Sequence, residues 1–169
     1  VGALVVAIGT LVAYWDDLTE SVKKWTGAVE EGNSSFDKLL TKQGYLSNEA
    51  VKKQKELNRE IKIMQAEEKG DIEINEKRLE LNKQIYEEQS KYISELKRRK
   101  HSTEFNLSVG IGDKDKQEKE LAELEKQIDE ATKILDGYYQ DIKDSETEVK
   151  VAVINAENEK NKTKAQAQK

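Results

Sequence analysis

Residues 114–156 read KDKQEKELAELEKQIDEATKILDGYYQDIKDSETEVKVAVINA, and the spacing of their apolar side chains decides the fold class. Leu121, Leu124, Ile128, Ala131, Leu135, Tyr138, Ile142, Val149, Ala152 and Ala156 fall three or four apart, with Ser145 standing where one apolar residue is missing. Residues at that spacing share one face of an α-helix. The series is therefore a heptad seam of about five repeats, which calls for a partner helix along its whole length. Its mixture of Leu, Ile, Ala and Tyr selects no single number of strands.

Composition agrees with an all-α chain built from long coiled-coil helices. Of 169 residues, 37% are charged and 36% hydrophobic, and the hydrophobic ones lie along stripes rather than in a mass. There is no proline to interrupt a long helix. There is also no cysteine, which removes disulfide and thiol chemistry and leaves the redox compartment open. A net charge of −5, evenly mixed along the chain, disfavours non-specific nucleic-acid binding. The initial valine points to a fragment of a longer protein.

Upstream of the seam, Ser47 is a suitable N-cap, with Glu49 well placed in the first helical turn. From there a single helix to Lys100 is expected, about 80 Å long. Leu57, Ile61, Met64, Ile72, Leu79, Tyr86, Ile93 and Leu96 form its stripe, which slips phase near Gly70. Ile74, Leu81, Ile85 and Tyr92 add a second stripe, the pattern of a helix that touches more than one neighbour. Residues 101–113 break the pattern. Phe105, Leu107, Val109 and Ile111 alternate with polar residues and glycine, which suits a short strand or a covering loop. Asp115 with Glu118 resembles a capping box for the last helix. The break leaves two courses open, an αα-hairpin or a chain that runs on. Past Ala156 the tail keeps helical propensity without a seam, and it is expected to fray or to continue into further sequence.

No catalytic constellation stands out, and no cofactor or metal is expected. His101 is the single histidine, and with no cysteine it cannot build a zinc site. Carboxylates are interleaved with lysines, as on solvated helix faces. Gly110-Ile111-Gly112 lacks the Gly-Lys-Ser/Thr of a phosphate loop. The run Lys97-Arg98-Arg99-Lys100 invites a reading as phosphate contact, of DNA or lipid headgroups. Cations at the negative end of a helix dipole are the simpler account. Tyr138 and Tyr139 read as core aromatics beside Gly137.

The N-terminal stretch differs in kind. Residues 1–15, VGALVVAIGTLVAYW, carry no charge, with Leu4, Val5, Ile8, Leu11, Val12, Tyr14 and Trp15 as the packing or membrane face. A bilayer span needs about 20 apolar residues. Three readings follow: a buried oligomeric helix, a cut transmembrane helix, or a segment that inserts on demand. Gly2, Ala3, Ala7, Gly9 and Ala13 permit close packing under each. Tyr14, Leu18, Val22, Trp25 and Val29 continue the helix toward a stop at Gly32-Asn33. The expected units are an apolar to amphipathic helix over 1–32, a short helix and linker over 33–46, and a helical coiled coil over 47–169.

The run ending Val12-Ala13-Tyr14-Trp15-Asp16-Asp17, followed by Val22-Lys23-Lys24-Trp25, resembles the apolar segments of phage and prophage tail tape measure proteins. The specific likeness covers roughly the first thirty residues; the proline-free, charge-mixed coiled coil agrees in style. The resemblance implies a structural protein of the virion tail tube lumen that sets tail length by its own extended length. It also implies a homo-oligomer (a trimer), contacts with tail tube and tail-tip proteins and assembly chaperones, and help with genome delivery across the host membrane. Two readings from other classes stand beside it. A membrane-active protein of pore-forming type would shelter an apolar helix against an amphipathic hairpin and release it on lipid. A membrane-anchored coiled-coil spacer would carry a full apolar span with basic flanks.

Overall fold

The computed structural model describes residues 44–167. Three helices follow one another over that span: α1 (Asn48–Ala66), α2 (Asp71–Ser108) and α3 (Lys114–Ala167). No strand occurs among the described residues, and the class is all-α as expected. The apolar helix expected over 1–32 and the short helix after it lie outside the described residues.

Ser47 caps α1 as its sequence position implies, its Oγ accepting from the Ala50 amide at 3.3 Å. The single helix expected from Ser47 to Lys100 is instead two. Glu68 adopts a left-handed φ of 56°, and the amides of Glu68 and Lys69 reach back to the carbonyls of Gln65 and Met64 at 3.2 and 3.0 Å. These paired bonds satisfy the last carbonyls of α1 and turn the chain, a closure usually built on glycine. Gly70 then enters α2 in extended conformation, and Asp71 and Glu73 place negative charge at the positive end of the new helix. The slip in the stripe near Gly70 is thus a reversal of direction. Ile61 before it and Ile74 after it are buried in one cluster.

A second correction concerns residues 101–113. The helix does not stop at His101 but runs to Ser108, leaving residues 109–113 as the connection. The same closure recurs there, with Gly110 at φ 71° and the amides of Gly110 and Ile111 bonded to Leu107 and Asn106 at 3.3 and 2.9 Å. The alternation that suggested a strand has no sheet behind it, because Phe105, Val109 and Ile111 stay exposed. The cap of α3 also shifts. Asp113, not Asp115, accepts the Lys116 amide at 3.1 Å. Helix α3 remains helical to Ala167, through the tail expected to fray.

The helices pack antiparallel with α2 shared between its two neighbours. The Ser47 amide, at the start of α1, donates to Gln89 Oε1 in α2 at 2.9 Å, and the turn at 67–70 joins the opposite ends. Helix α3 returns along α2. Lys100 pairs with Glu125 near the loop, Asn82 with Ser145 farther down, and Arg78 with Glu148 beyond that. One core cluster gathers Tyr45, Leu46, Leu57, Ile61, Leu81, Ile85, Ile134 and Tyr138 from all parts of the fold. A second, nearer the loop, joins Ile93 and Leu96 of α2 to Leu124 and Ala131 of α3. Each buried leucine or isoleucine contributes roughly 1.5–3 kcal/mol. At 54 residues α3 outruns the 38 of α2, and its residues beyond Ala156 are exposed throughout.

Candidate association surface

The heptad seam of α3 finds its partner within the same chain. Leu124, Ala131, Tyr138 and Ile142 are buried, and Leu121, Ile128, Leu135 and Val149 are half-buried. Ile128 and Leu135 pack with Tyr92 against the Ile93–Leu96 cluster, while Tyr138 joins the residues of α1 and α2. Helix α3 also buries Ile134 and Glu130, one turn around from the seam, which the single-stripe reading overlooks. The apolar face of Leu4, Val5, Ile8, Leu11, Val12, Tyr14 and Trp15 lies outside the described residues.

The break in the seam is filled by chemistry. Ser145 is 3% exposed, accepts from Asn82 Nδ2 at 2.8 Å, and donates to the Asp141 carbonyl at 2.8 Å. One turn on, Arg78 Nη1 donates to Glu148 at 3.0 Å. Gln89, fully buried, accepts from the Ser47 amide and donates to the carbonyls of Tyr45 and Ala131 at 2.9 and 3.2 Å. It thereby ties the entry of α1, the middle of α2 and the middle of α3 together. Nearby, Tyr92 donates to the Gly44 carbonyl at 2.6 Å, and burial raises its phenol above the usual range despite the Arg99 charge. These polar members were findable in the sequence. Ile74, Arg78, Leu81, Ile85, Gln89, Ile93 and Leu96 keep three-and-four spacing, so a stripe traced by position rather than by hydropathy passes through Arg78 and Gln89.

Buried polar groups are usually paired; among the described residues Gln54 Oε1, Asn58 Oδ1 and Arg78 Nε have no hydrogen-bond partner. Arg78 belongs to the layer of Asn82, Ser145 and Glu148, a polar layer set within the apolar packing of Ile74, Leu81, Ile85, Ile134 and Tyr138, whereas the cluster nearer the loop is apolar. In α3 the half-buried Asp141 carboxyl is pushed up to about 8, first by burial and then by the charge of Asp144. On the exposed surface, the hydrogen bond from Arg98 holds the Glu95 carboxyl below its usual range.

The remaining candidate residues lie apart from one another. Tyr139 is outside the core, its ring 6.1 Å from that of Tyr86 and 4.7 Å below Lys143 Nζ. His101 is on the helix surface, 3.6 Å from Glu104. The run from Lys97 to Lys100 is not at a helix end, and α2 carries no basic residue in its last turn. Among the described residues no cluster of His, Cys, Asp and Glu is arranged to hold a metal ion, and no helix is long and apolar enough to cross a membrane. Set against protein families, curated proteins and solved structures, the chain matches none of them.

Proposed function

We propose that the chain is a structural protein of the phage tail, of tape-measure type, acting through helical length and association rather than catalysis. The observation that carries this reading is the uncharged run over 1–15, closed by Tyr14-Trp15-Asp16-Asp17 and joined to proline-free rods. In this reading residues 1–32 form an apolar to amphipathic helix that exchanges protein packing for the host membrane during genome delivery. The rods associate as coiled coils with other copies, the tail tube and tip proteins, and assembly chaperones.

A ruler counts residues along a line, so length control requires the α2–α3 hairpin to open during assembly. The polar layer around Asn82 and Ser145 supports such opening, because hydrogen-bonded polar pairs exchange for water at little net cost while buried leucines do not. In the folded hairpin the ends of residues 71–155 lie together, with Asp71 beside Ala152 and Asn155. Their in-frame deletion removes almost no length from a hairpin but about 130 Å from an opened helix. Tailed particles from the source host, measured by electron microscopy and with the chain identified in them by mass spectrometry, are expected to be shorter by that amount. Tails of unchanged length overturn the ruler role, and tails lacking the chain overturn the tape-measure reading altogether.

A second reading is favoured by the antiparallel return of α3 on α2. An amphipathic hairpin of this kind can shelter an apolar helix, as in a pore-forming protein or a membrane-anchored spacer. Release of a trapped dye from vesicles by the full chain alone would favour the pore-forming form of that reading over the tail protein.

A further inference from the structure

We propose that the cleft between α1 and α3 is a docking site for residues 33–43 of the same chain, which run back along it from Gly44. The assignment holds under either reading of the function. Helices α1 and α3 each pack along α2, with no comparable contact between them, so they leave a trough whose floor is α2. Val51, Gln54 and Asn58, three and four apart, share one flank of α1, and Ile134, Tyr138 and Asp141 share one flank of α3. Val51, Ile134 and Tyr138 fall in one cluster with Leu81 and Ile85 of the floor, so the two flanks face each other. The register is fixed. Ser47 meets Gln89 and the 67–70 turn joins the opposite ends, which sets Gln54 level with Asn82 and Asn58 level with Arg78. Asn82 and Arg78 in turn meet Ser145 and Glu148 of α3. The trough is therefore apolar near Gly44 and polar farther along.

Chain continuity selects the occupant. The Tyr92 hydroxyl donates to the Gly44 carbonyl at 2.6 Å, and a Cβ on Gly44 would stand 2.6 Å from Gln127 Nε2. Residue 44 is thus wedged between α2 and α3 at the mouth of the trough, with a φ of 78° that glycine adopts freely. Whatever precedes it is tethered there, and any separate molecule must compete with that local concentration. The order of residues also fits. A return antiparallel to α1 at helical rise sets Phe36, Leu39 and Leu40 at the level of the first turns of α1, beside Val51 and Tyr138. It sets Asn33, Ser34 and Ser35 at the level of Gln54 and Asn58. Gln54 Oε1, Asn58 Oδ1 and Arg78 Nε are the atoms that have no hydrogen-bond partner among the described residues, although Gln54 and Arg78 are only 5% and 8% exposed. Two serine hydroxyls and an amide donate as well as accept, so they can serve two acceptors and one donor together. A second copy would cover the trough but gives no reason for this sequence of apolar and polar residues next to Gly44.

The chain has no cysteine, so Lys38→Cys places a single nitroxide label on the full chain. Paramagnetic broadening of its backbone amides is then read by NMR. The expected result is loss of the signals of residues 48–55 and 136–145, which line the trough, while residues 104–113 and 160–167 at the two ends of the bundle keep theirs. Leu39→Glu with Leu40→Glu should raise the undocked fraction roughly tenfold or more and restore the lost signals. Both positions lie outside α1–α3, so circular dichroism should find the three helices retained in that variant. Broadening centred away from the trough, or spread evenly along the chain, overturns the proposal. So does broadening that survives the double substitution. In a mixture of nitroxide-labelled chain without ¹⁵N and unlabelled chain with ¹⁵N, loss of the same signals would assign the trough to a second copy and overturn it equally.

Discussion

Single side chains decide the register of this hairpin more than its apolar stripes do, because leucines and isoleucines slide past one another whereas Gln89 and the Asn82–Ser145 pair have one position each. A slip of one turn would strand the Gln89 amide and the Ser47 and Tyr45 backbone groups without partners, at about 1–3 kcal/mol for each buried group. Ser145 looks like a defect in a heptad seam when read by hydropathy. It becomes interpretable only with Asn82 beside it, and two residues 63 positions apart carry no local signal that they meet. Asp141, in the turn before Ser145, gives a prediction at the same scale. Its carboxyl titrates at about 8 in the folded chain, against 3.8 for an ordinary aspartate. Between those limits the folded chain holds a proton that the unfolded chain releases, so stability falls as pH rises, by at most about 1.4 kcal/mol per pH unit, and levels off above the folded value. Urea midpoints taken across that window should show the decline in the parent chain and a flatter profile in Asp141→Asn. Equal slopes in both would assign the pH dependence to other groups.

At the scale of elements, what the sequence made legible was whatever repeats. The seam from Leu121 to Ile142 faces its neighbours as its spacing demands, and Ser47 caps α1 through the side chain its position called for. The turns were harder to see. Residues 67–70 reverse the chain with a glutamate in the left-handed conformation, and nothing in Glu-Glu-Lys-Gly marks Glu68 as the residue that takes it; Gly70, the visible glycine, is extended. The alternation through Phe105, Val109 and Ile111 misled for the opposite reason. Periodicity reports structure only where one face is buried, and these side chains are in solvent. The first turn also makes a prediction. A left-handed conformation costs a non-glycine residue roughly 1–2 kcal/mol. Glu68→Gly should therefore stabilise the fold by about 1 kcal/mol, less any gain of freedom in the unfolded chain. Denaturant midpoints measure it directly, and a destabilised Glu68→Gly would mean that the carboxylate contributes more to the turn than its backbone conformation costs.

For the whole molecule the question is whether α3 pairs with its own α2 or with that of another copy. The same seam, Leu121 to Val149, serves either arrangement, because heptad spacing specifies a neighbour without specifying the chain it comes from. The five residues of the loop and the closure at Gly110 favour the intramolecular partner, since a short turn holds α3 against α2 at a high effective concentration. Among the described residues, pairing within the chain leaves apolar side chains exposed at both ends of α3, open to contacts between molecules. One is the tip at Phe105, Val109 and Ile111, and the other is the far end of α3, where Val151 and Ile154 are half or more exposed. In the double variant Asn82→Cys, Ser145→Cys, the two thiols stand on facing helices at positions whose side chains are hydrogen-bonded in the parent, so mild oxidation or a short bis-thiol crosslinker should join them. With no other cysteine in the chain, a non-reducing gel reads the answer without ambiguity. A monomer band of increased mobility, unchanged on dilution before oxidation, is the outcome expected of the hairpin. A covalent dimer that persists on dilution would mean that α3 crosses to a second chain, in which case the hairpin opens into the extended association that a length ruler requires.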